Sequence, residues 1–470
     1  MTRNQHLDQP DASCRRLHDD LITTDLREQS RRYGLRDGGC LAVAQGSGEQ
    51  YLSAFALLLH AGPVQLGILS ALPQLIGTIA QLASVKLLRL FSGRKSMIVA
   101  GTIGQALSWI PIIVLPLLLP QWGPWLVIAG AALYFACNHF TAPHWTSFIA
   151  DHLDEHERGG YFAQRAFIIA AVSFIALGLS GAALTFWQQH APAWVGFALI
   201  FSLAGMARLC SAMALRPVED VHPRATAAGR GLFRTFYARS SKSFRHFLLF
   251  SSLMHMAVLI AGPFFVLYMI RDLHLSYFWY GTWLAAGVLG QLMTLGTWGR
   301  FSDRFGNKAL LAVTGYTVPV LPMLYLLSTN LAFMMAVNFF GGVVWAGLSL
   351  GLQNYVLDAV TPQERAKAVA LSNTVNAVGW CGGALLGGWL VDALPATIDL
   401  ARLPIPLGSH LPLIFFASGL LRLMVAGALL GRFHEARAVV RIPVSELLLE
   451  LPLLKTLAQI VGSPLSRMLK

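Results

Sequence analysis

The stretch GRFSDRFGNK, from Gly299 to Lys308, is a short charged segment between two long apolar ones. The flanking runs, 277–298 and 309–328, carry almost no charge. Each is roughly 20 residues long, and a helix of that length crosses the ~30 Å hydrocarbon core of a bilayer. The two glycines of the stretch permit a tight turn between such helices. We therefore expect GRFSDRFGNK to be a polar connection between two membrane-spanning helices.

The rest of the chain has the same alternation of apolar runs and charged connections. Of 470 residues, 55% are hydrophobic and 12% are charged, and the mean hydropathy is +0.57. This composition is too apolar for a soluble protein of this length and is typical of membrane proteins. The sequence predicts an all-α membrane protein with twelve transmembrane helices, near residues 40–60, 65–88, 96–119, 125–150, 161–187, 195–215, 247–270, 277–298, 309–328, 332–357, 368–394 and 411–430. Internal prolines, such as those at 111, 143, 263 and 319, predict kinks rather than helix ends.

The distribution of Lys and Arg predicts the orientation. All but four of the 35 basic residues lie in the two termini or in the even-numbered connections, and the positive-inside rule places those segments in the cytoplasm. The net charge of +12 is thus explained by topology and contact with anionic lipid, which we favour over nucleic-acid binding. The predicted domains are a cytoplasmic N-terminal tail (1–37), an N-terminal six-helix bundle (38–215), a basic cytoplasmic linker (216–246), a C-terminal six-helix bundle (247–430) and a cytoplasmic C-terminal tail (431–470) that holds an interfacial helix.

Matching residues recur in the two halves of the chain. The pairs lie 207 to 214 positions apart and keep the same order: Gly93 and Lys95 with Gly306 and Lys308, Arg208 with Arg422, His60 with His274, and Asp151 with Asp358. Such recurrence indicates a duplicated six-helix unit, and transporters built from two repeats bind their substrate between the halves. We expect the twinned Arg208 and Arg422 to be structural.

With this organisation, GRFSDRFGNK resembles the G-x-x-x-D-R-x-G-x-[RK] signature of the major facilitator superfamily. The resemblance spans about residues 38–430 and implies two pseudo-symmetric six-helix bundles that transport a solute by alternating access. It also implies a cytoplasmic gate formed by Gly299, Asp303, Arg304, Gly306 and Lys308. The first half departs from the signature, because Leu90 and Phe91 occupy the Asp and Arg positions.

A second stretch, ERGGYFAQR (157–165), resembles the connection between the fourth and fifth helices in the same superfamily. Its Arg158 and Arg165 are expected to pair with acids across the cytoplasmic face, Asp303 among them, or to contact lipid phosphates.

Glu49 is the one acidic residue predicted to lie deep in a span. A charge in hydrocarbon is costly, so a carboxyl group there needs a partner, water or a proton. The resemblance implies that the first and fourth helices of each half line the central cavity. In a continuous helix Gln45, Glu49 and Ser53 share one face. We expect Glu49 to couple protons or bind substrate, and the alternative is a structural, hydrogen-bonded carboxyl.

Other cavity candidates lie on the seventh span and on the fourth helix of each half. They combine flat aromatic walls with amide or imidazole groups, which suits an organic ligand, although helix packing explains the same residues equally well. They are Asn138, Trp145, His255, Asn338 and Trp345.

The sequence therefore predicts a secondary transporter of a small organic solute in the cytoplasmic (inner) membrane, with protons as possible partners. The alternative is a scaffold or delivery factor for a cofactor, pigment or lipid on the same fold. We expect a monomer in contact with membrane lipids, with no nucleic-acid partner, no cofactor and no metal. Neither a nucleophile elbow nor a nucleotide-binding loop is present, so an enzyme is not expected. The five scattered cysteines predict no disulfide framework.

Overall fold

Helices account for all regular secondary structure in the computed structural model, which describes residues 12–153, 158–220, 237, 240–361, 364–394 and 409–436. The α-helices are α1 (Ala12–Ser47), α2 (Leu52–Leu58), α3 (Pro63–Leu87), α4 (Arg94–Leu107), α5 (Trp109–Leu118), α6 (Gly123–Ala150), α7 (Arg158–His190), α8 (Ala193–Leu215), α9 (Lys242–Leu259), α10 (Tyr277–Phe305), α11 (Asn307–Thr317), α12 (Val320–Leu324), α13 (Leu331–Asp358), α14 (Arg365–Ala393) and α15 (Leu411–Leu429).

Within these described residues, nine helical segments are long and apolar enough to cross a membrane. They are Pro63–Ser84, Arg94–Leu118, Pro120–Ala150, Gly160–His190, Ala193–Leu215, Lys242–Asp272, Leu331–Asp358, Lys367–Ala393 and Leu411–Arg432. The predicted first, eighth and ninth spans coincide with α1–α2, α10 and α11–α12. None of these segments is both long enough and apolar enough to be counted among the nine. The membrane-spanning character of the chain is thus confirmed, and the full set of twelve spans stays a prediction.

Three of the four predicted proline kinks are helix boundaries. Pro263 lies in a 3₁₀ turn that follows α9, and Pro319 immediately precedes α12. Pro111 lies in the first turn of α5, just after the break at Ser108 that separates α4 from α5. Only Pro143 lies within an uninterrupted helix, α6, as expected. A proline lacks a backbone N–H, so it fits best in the first turn of a helix, where that donor would have no helical partner.

The duplication is visible in the backbone. His60 and His274 are the two described non-glycine residues with positive φ, at 65° and 51°. In each half a 3₁₀ turn interrupts the first helix, at Glu49–Tyr51 and at Gly262–Phe264, and the residue with positive φ follows that interrupted helix. A left-handed residue is uncommon outside glycine, so its recurrence at the matched position supports the repeat.

The two halves meet through two helix pairs, α3 with α14 and α7 with α10. Their closest approaches involve the first residues of α3 and α10 and the last residues of α7 and α14. The backbone N–H of Phe278 donates to Thr185 Oγ1 at 2.8 Å, and the ring of Tyr277 packs edge-on against Phe197. We call this end of the bundle the closed end, and the end that holds the Arg94 and Gly306 connections the basic end.

Several predicted segments differ from the structure or lie outside it. Much of the predicted N-terminal tail (1–37) is helical, because α1 begins at Ala12 and continues into the first predicted span. The predicted interfacial helix of the C-terminal tail lies outside the described residues, as does most of the basic linker.

Candidate substrate cavity and its charged surroundings

Glu49 lies at the break in the first helix of the N-terminal half. It opens the 3₁₀ turn Glu49–Tyr51, which follows Gly48. A Cβ on Gly48 would approach Trp109 of α5 to 2.5 Å, so close packing with α5 needs a glycine at the break. The Tyr134 hydroxyl of α6 donates to Glu49 Oε2 at 3.4 Å, and Glu49 lines a cavity of about 310 Å³. The turn therefore directs a carboxyl group into a cavity beside a single long hydrogen bond.

The predicted polar face of the first helix is not continuous. Because the helix breaks at Gly48, Gln45 on α1 is not among the residues that line the described cavities around Glu49. Ser53 on α2 lines the same cavity as Glu49. Glu49 and Ser53 therefore line one cavity, and Gln45 lies apart from them.

Three neighbouring cavities share lining residues and lie between the halves. Cavity A has about 590 Å³, cavity B is the one that Glu49 lines, and cavity C has about 450 Å³. Gln74 and Trp380 line both A and B, while Gln50 and Trp283 line both B and C. Cavity A reaches toward the basic end, where α3 and α13 end and α14 begins. Side chains from both halves therefore surround one connected space.

The predicted cavity residues divide into two groups. His255 lines cavity A, with Nδ1 2.8 Å from the carbonyl of Ser251 and its ring beside Trp345 and Trp380. Asn338 and Trp345 line cavity C, and Asn338 Nδ2 donates to the carbonyl of Trp283.

Asn138 and Trp145 are not among the residues that line cavities A, B and C. Trp145 instead lies under the guanidinium of Arg165, whose Cζ is 3.8 Å from the ring centroid. On α6 it is His139 that lines cavity A.

Sequence reasoning missed the polar stripe of the second span. Gln74, Thr78 and Gln81 of α3 all line cavity A. Their spacing of four and three residues puts them on one helix face. Three polar residues on one face of an otherwise apolar span could have been used to predict that this face lines a cavity.

The signature stretch is a turn at the basic end. Gly306 has φ 90° between α10 and α11, and the backbone N–H of Lys308 donates to Glu435 Oε2 at 2.7 Å. Asp303 and Arg304 are exposed in the last turn of α10. No atom of another described segment lies within 4 Å of a Cβ built on Gly299, so nothing packs closely against this glycine in this conformation.

A buried ion-pair cluster lies at the matched place in the N-terminal half. Arg94, the first residue of α4, contacts Asp151 at 2.8 Å and Asp220 at 2.7 Å, and it is 4% exposed. In the C-terminal half the first residue of α11 is Asn307, which donates to Asp358 at 2.5 Å. Asp151 and Asp358, which match in sequence, therefore make the equivalent contact with the first residue of α4 and of α11.

Arg165 has a different partner from the one expected. It contacts Asp37 of α1 at 3.1 Å, within its own half, and the side chain of Arg158 lies outside the described residues. Asp37 also accepts from Ser211 and lies 3.9 Å from Arg208. Asp37 is 3% exposed, so a residue assigned to the tail is a buried anion that joins α1, α7 and α8.

No three His, Cys, Asp or Glu side chains of the described residues are grouped to hold a metal ion. His139 and His144 have different surroundings, since His144 Nε2 lies 3.1 Å from Ser84 Oγ while His139 lines cavity A.

Comparison with known proteins gives sequence matches over part of the chain and structural matches over most of it. The chain is 25% identical over 134 residues to a probable peptide/nitrate transporter of Arabidopsis thaliana and 28% identical over 121 residues to multidrug resistance protein 2 of Bacillus subtilis. These matches cover 27% and 26% of this chain and 28% and 30% of the relatives, so the chain spans only about 30% of the curated relatives it matches.

Solved structures match over most of the chain. The nucleoside transporter NupG superposes with a TM-score of 0.64 at 13% identity, covering 87% of this chain and 98% of that one. A D-xylose-proton symporter superposes with a TM-score of 0.64 at 13% identity, covering 89% and 100%. These similarities show the fold. The family model described as "Major Facilitator Superfamily" matches residues 247–464, which begin just after the start of α9. The signature turn at Gly306 lies within the matched residues, so the C-terminal half of the chain is similar to the Major Facilitator Superfamily in sequence, and the fold of the chain is similar to that of solved transporters.

Proposed function

We propose that this protein is a secondary active transporter that moves a small organic solute by alternating access and couples the movement to protons through Glu49. The observation that carries the proposal is the connected space of cavities A, B and C, lined by both halves, with one carboxyl group facing it.

The arrangement of the halves supports alternating access. They pack tightly at the closed end and leave cavity A toward the basic end, which the distribution of Lys and Arg predicts to be cytoplasmic. Rocking of the halves about the α3–α14 and α7–α10 pairs would exchange the two ends. The twelve spans, cytoplasmic termini and inner-membrane location are part of this proposal.

The surroundings of Glu49 support proton coupling. Its only described hydrogen bond is the long one from Tyr134, so no cation holds it ionised by direct contact. A carboxyl group at the edge of a cavity can release its proton when the cavity fills with water and rebind it when the site closes.

Cysteine labelling tests alternating access without knowledge of the cargo. In a variant without the five native cysteines, Ser349→Cys places a thiol on cavity A. The control is Ser418→Cys, because Ser418 is fully buried and donates to the carbonyl of Ala257. A membrane-impermeant maleimide is applied to cells and to inside-out vesicles.

A transporter labels at Ser349→Cys from both sides of the membrane, while Ser418→Cys stays unlabelled. A scaffold that does not alternate labels from one side only, and that result overturns the proposal. Coupling through Glu49 further requires the ratio of the two labelling rates to change with pH and to lose that change in Glu49→Gln.

A further inference from the structure

Arg422 is a buried cation whose donors are poorly satisfied. It lies in the middle of α15, is 7% exposed, and lines cavity C. Its guanidinium donates to the carbonyls of Val318 at 3.3 Å and Val258 at 3.5 Å, and Nε has no partner. Charge-assisted hydrogen bonds are normally ~2.7–2.9 Å long, so both contacts are weak.

A local structural role explains only one of these contacts. Pro322 has no backbone N–H, which leaves the carbonyl of Val318 without its usual helical donor, and Arg422 supplies one. A carbonyl is neutral, however, and does not balance the charge. Within the described residues no carboxylate oxygen lies within 4.0 Å of Arg422.

The repeat provides an internal comparison. Arg208, at the matched position of α8, donates to Gln105 at 2.8 Å and to Ser211 at 3.0 Å, and has the carboxylate of Asp37 beside it. The two arginines are about equally buried, yet only the N-terminal one has an anion. A buried charge without a counter-charge is costly, and such residues inside a membrane bundle mark ligand pathways.

The walls of cavity C indicate the rest of the ligand. Trp283, Tyr325 and Trp345 provide flat apolar surfaces, and the amides of Gln50 and Gln291 provide hydrogen-bonding groups. A volume of about 450 Å³ suits a small organic molecule. A guanidinium binds a carboxylate through two parallel hydrogen bonds.

We propose that cavity C binds an organic anion, a carboxylate on an aromatic or similarly flat apolar body, and that Arg422 pairs with the carboxylate. This assignment rests on the proposed transport function and names its substrate class.

The test compares probes that share one body and differ in charge. Benzoate, benzamide and benzylamine form one set, and cinnamate, cinnamamide and cinnamylamine form another. Each is titrated against the purified full-length protein while the melting temperature is followed, since a ligand of the folded state raises it. The variants are Arg422→Gln, Arg422→Lys and the control Arg271→Gln, in which a half-exposed arginine bonded to Asp272 is changed.

The carboxylates should stabilise the wild type more than the amides or amines do. Arg422→Gln should weaken the apparent affinity about tenfold to a hundredfold, since it removes a charged hydrogen-bond pair. Arg422→Lys should give an intermediate value, and Arg271→Gln should match the wild type. Without ligand, Arg422→Gln should melt no lower than the wild type because it removes an uncompensated buried charge.

Three results overturn this assignment: carboxylates that stabilise Arg422→Gln as well as the wild type, a preference for the amides or amines, or no stabilisation by any carboxylate. Each is separable from failure of the transport proposal, because the Ser349→Cys labelling does not depend on the cargo.

Discussion

Asp220 and Glu435 lie 215 residues apart and make equivalent contacts in the two halves. Asp220 binds the start of α4, and Glu435 binds the start of α11. The carboxylate of Asp220 accepts from the backbone N–H groups of Arg94 at 3.0 Å and Lys95 at 3.4 Å, and that of Glu435 accepts from Lys308 at 2.7 Å. A helix N-terminus presents unpaired N–H groups and a partial positive charge, which an acid satisfies. Asp220 follows α8 and Glu435 follows α15, the last helix of each half. The contacts therefore join α4 to the end of α8 and α11 to the end of α15.

Removal of the Asp220 charge should destabilise the protein. In Asp220→Asn the buried Arg94 loses one of two carboxylate partners, and the loss should be about 3 kcal/mol, the low end of the range for breaking a buried pair, because Asp151 remains. Thermal unfolding in detergent measures the change. Glu28→Gln is the matched control, since the Glu28–Arg32 pair is exposed and should contribute below about 0.5 kcal/mol. Equal melting of the two variants would contradict a structural role for the Asp220 contact.

The two signature glycines should respond differently to alanine. Gly306 has φ 90°, and a Cβ there would overlap the carboxylate of Glu435, so Gly306→Ala should cost at least about 1 kcal/mol and disturb the contact with Lys308. Gly299 is helical and its Cβ position is open, so Gly299→Ala should be neutral or stabilise by up to about 1 kcal/mol. Both melting temperatures are compared with the wild type. A loss of stability in Gly299→Ala would mean that Gly299 packs against a neighbour in the resting state.

Helices whose ends are encoded locally were predictable from the sequence. The spans predicted at 125–150 and 195–215 correspond to α6 and α8 within two residues at each end, because polar connections bound a continuous apolar run. The repeat was predictable for the same reason, since matched residues such as Gly93 and Gly306 serve turns that depend on nearby sequence.

Contacts between distant segments were not predictable in this way. The burial of Asp37 depends on Ser211 and Arg165, which lie 174 and 128 positions away. Gly48, at the break in the first helix, packs against the ring of Trp109 on another helix, where a Cβ would not fit. Helical periodicity reports which residues share a face, but it does not report where tertiary packing interrupts the helix. Glu49 therefore lines cavity B, whereas Gln45, on the other side of the break, does not.

The helix break predicts opposite behaviour for Glu49 and Gln45. Glu49→Gln removes the only carboxyl group among the residues lining cavity B, and the pH dependence of Ser349→Cys labelling should disappear. Gln45→Ala changes a side chain that lines none of cavities A, B and C, and the pH dependence should be retained. Both variants are measured in inside-out vesicles over a range of pH. If Gln45→Ala alone abolishes the response, protons bind elsewhere on the first helix.

Adjacent glycines of α14 should differ in their tolerance of a methyl group. A Cβ on Gly383 would overlap the carbonyl oxygen of Met256 on α9, whereas no atom lies within 4 Å of a Cβ on Gly382. Gly383→Ala should force α9 and α14 apart and cost about 1–3 kcal/mol. Gly382→Ala should leave the melting temperature unchanged or raise it. The same melting temperature in both variants would show that α9 and α14 can separate without loss of stability.

A methyl group between the halves should shift the conformational balance rather than the stability of the fold. Gly67 of α3 faces α14 across the interface near the closed end, and a Cβ there would lie 2.5 Å from the carbonyl oxygen of Ala384. Because this contact joins the two halves and not helices within one half, Gly67→Ala should disfavour closure at this end. The added methyl group clashes only when the closed end is closed, so the population should move toward the state in which that end is open.

Labelling of Ser349→Cys should then slow from the basic side and quicken from the opposite side. Gly178→Ala, on α7 with open space around its Cβ, should leave both rates unchanged. If Gly67→Ala lowers the melting temperature and leaves the ratio of rates as it was, the α3–α14 contact is a fixed packing surface and the halves do not separate there.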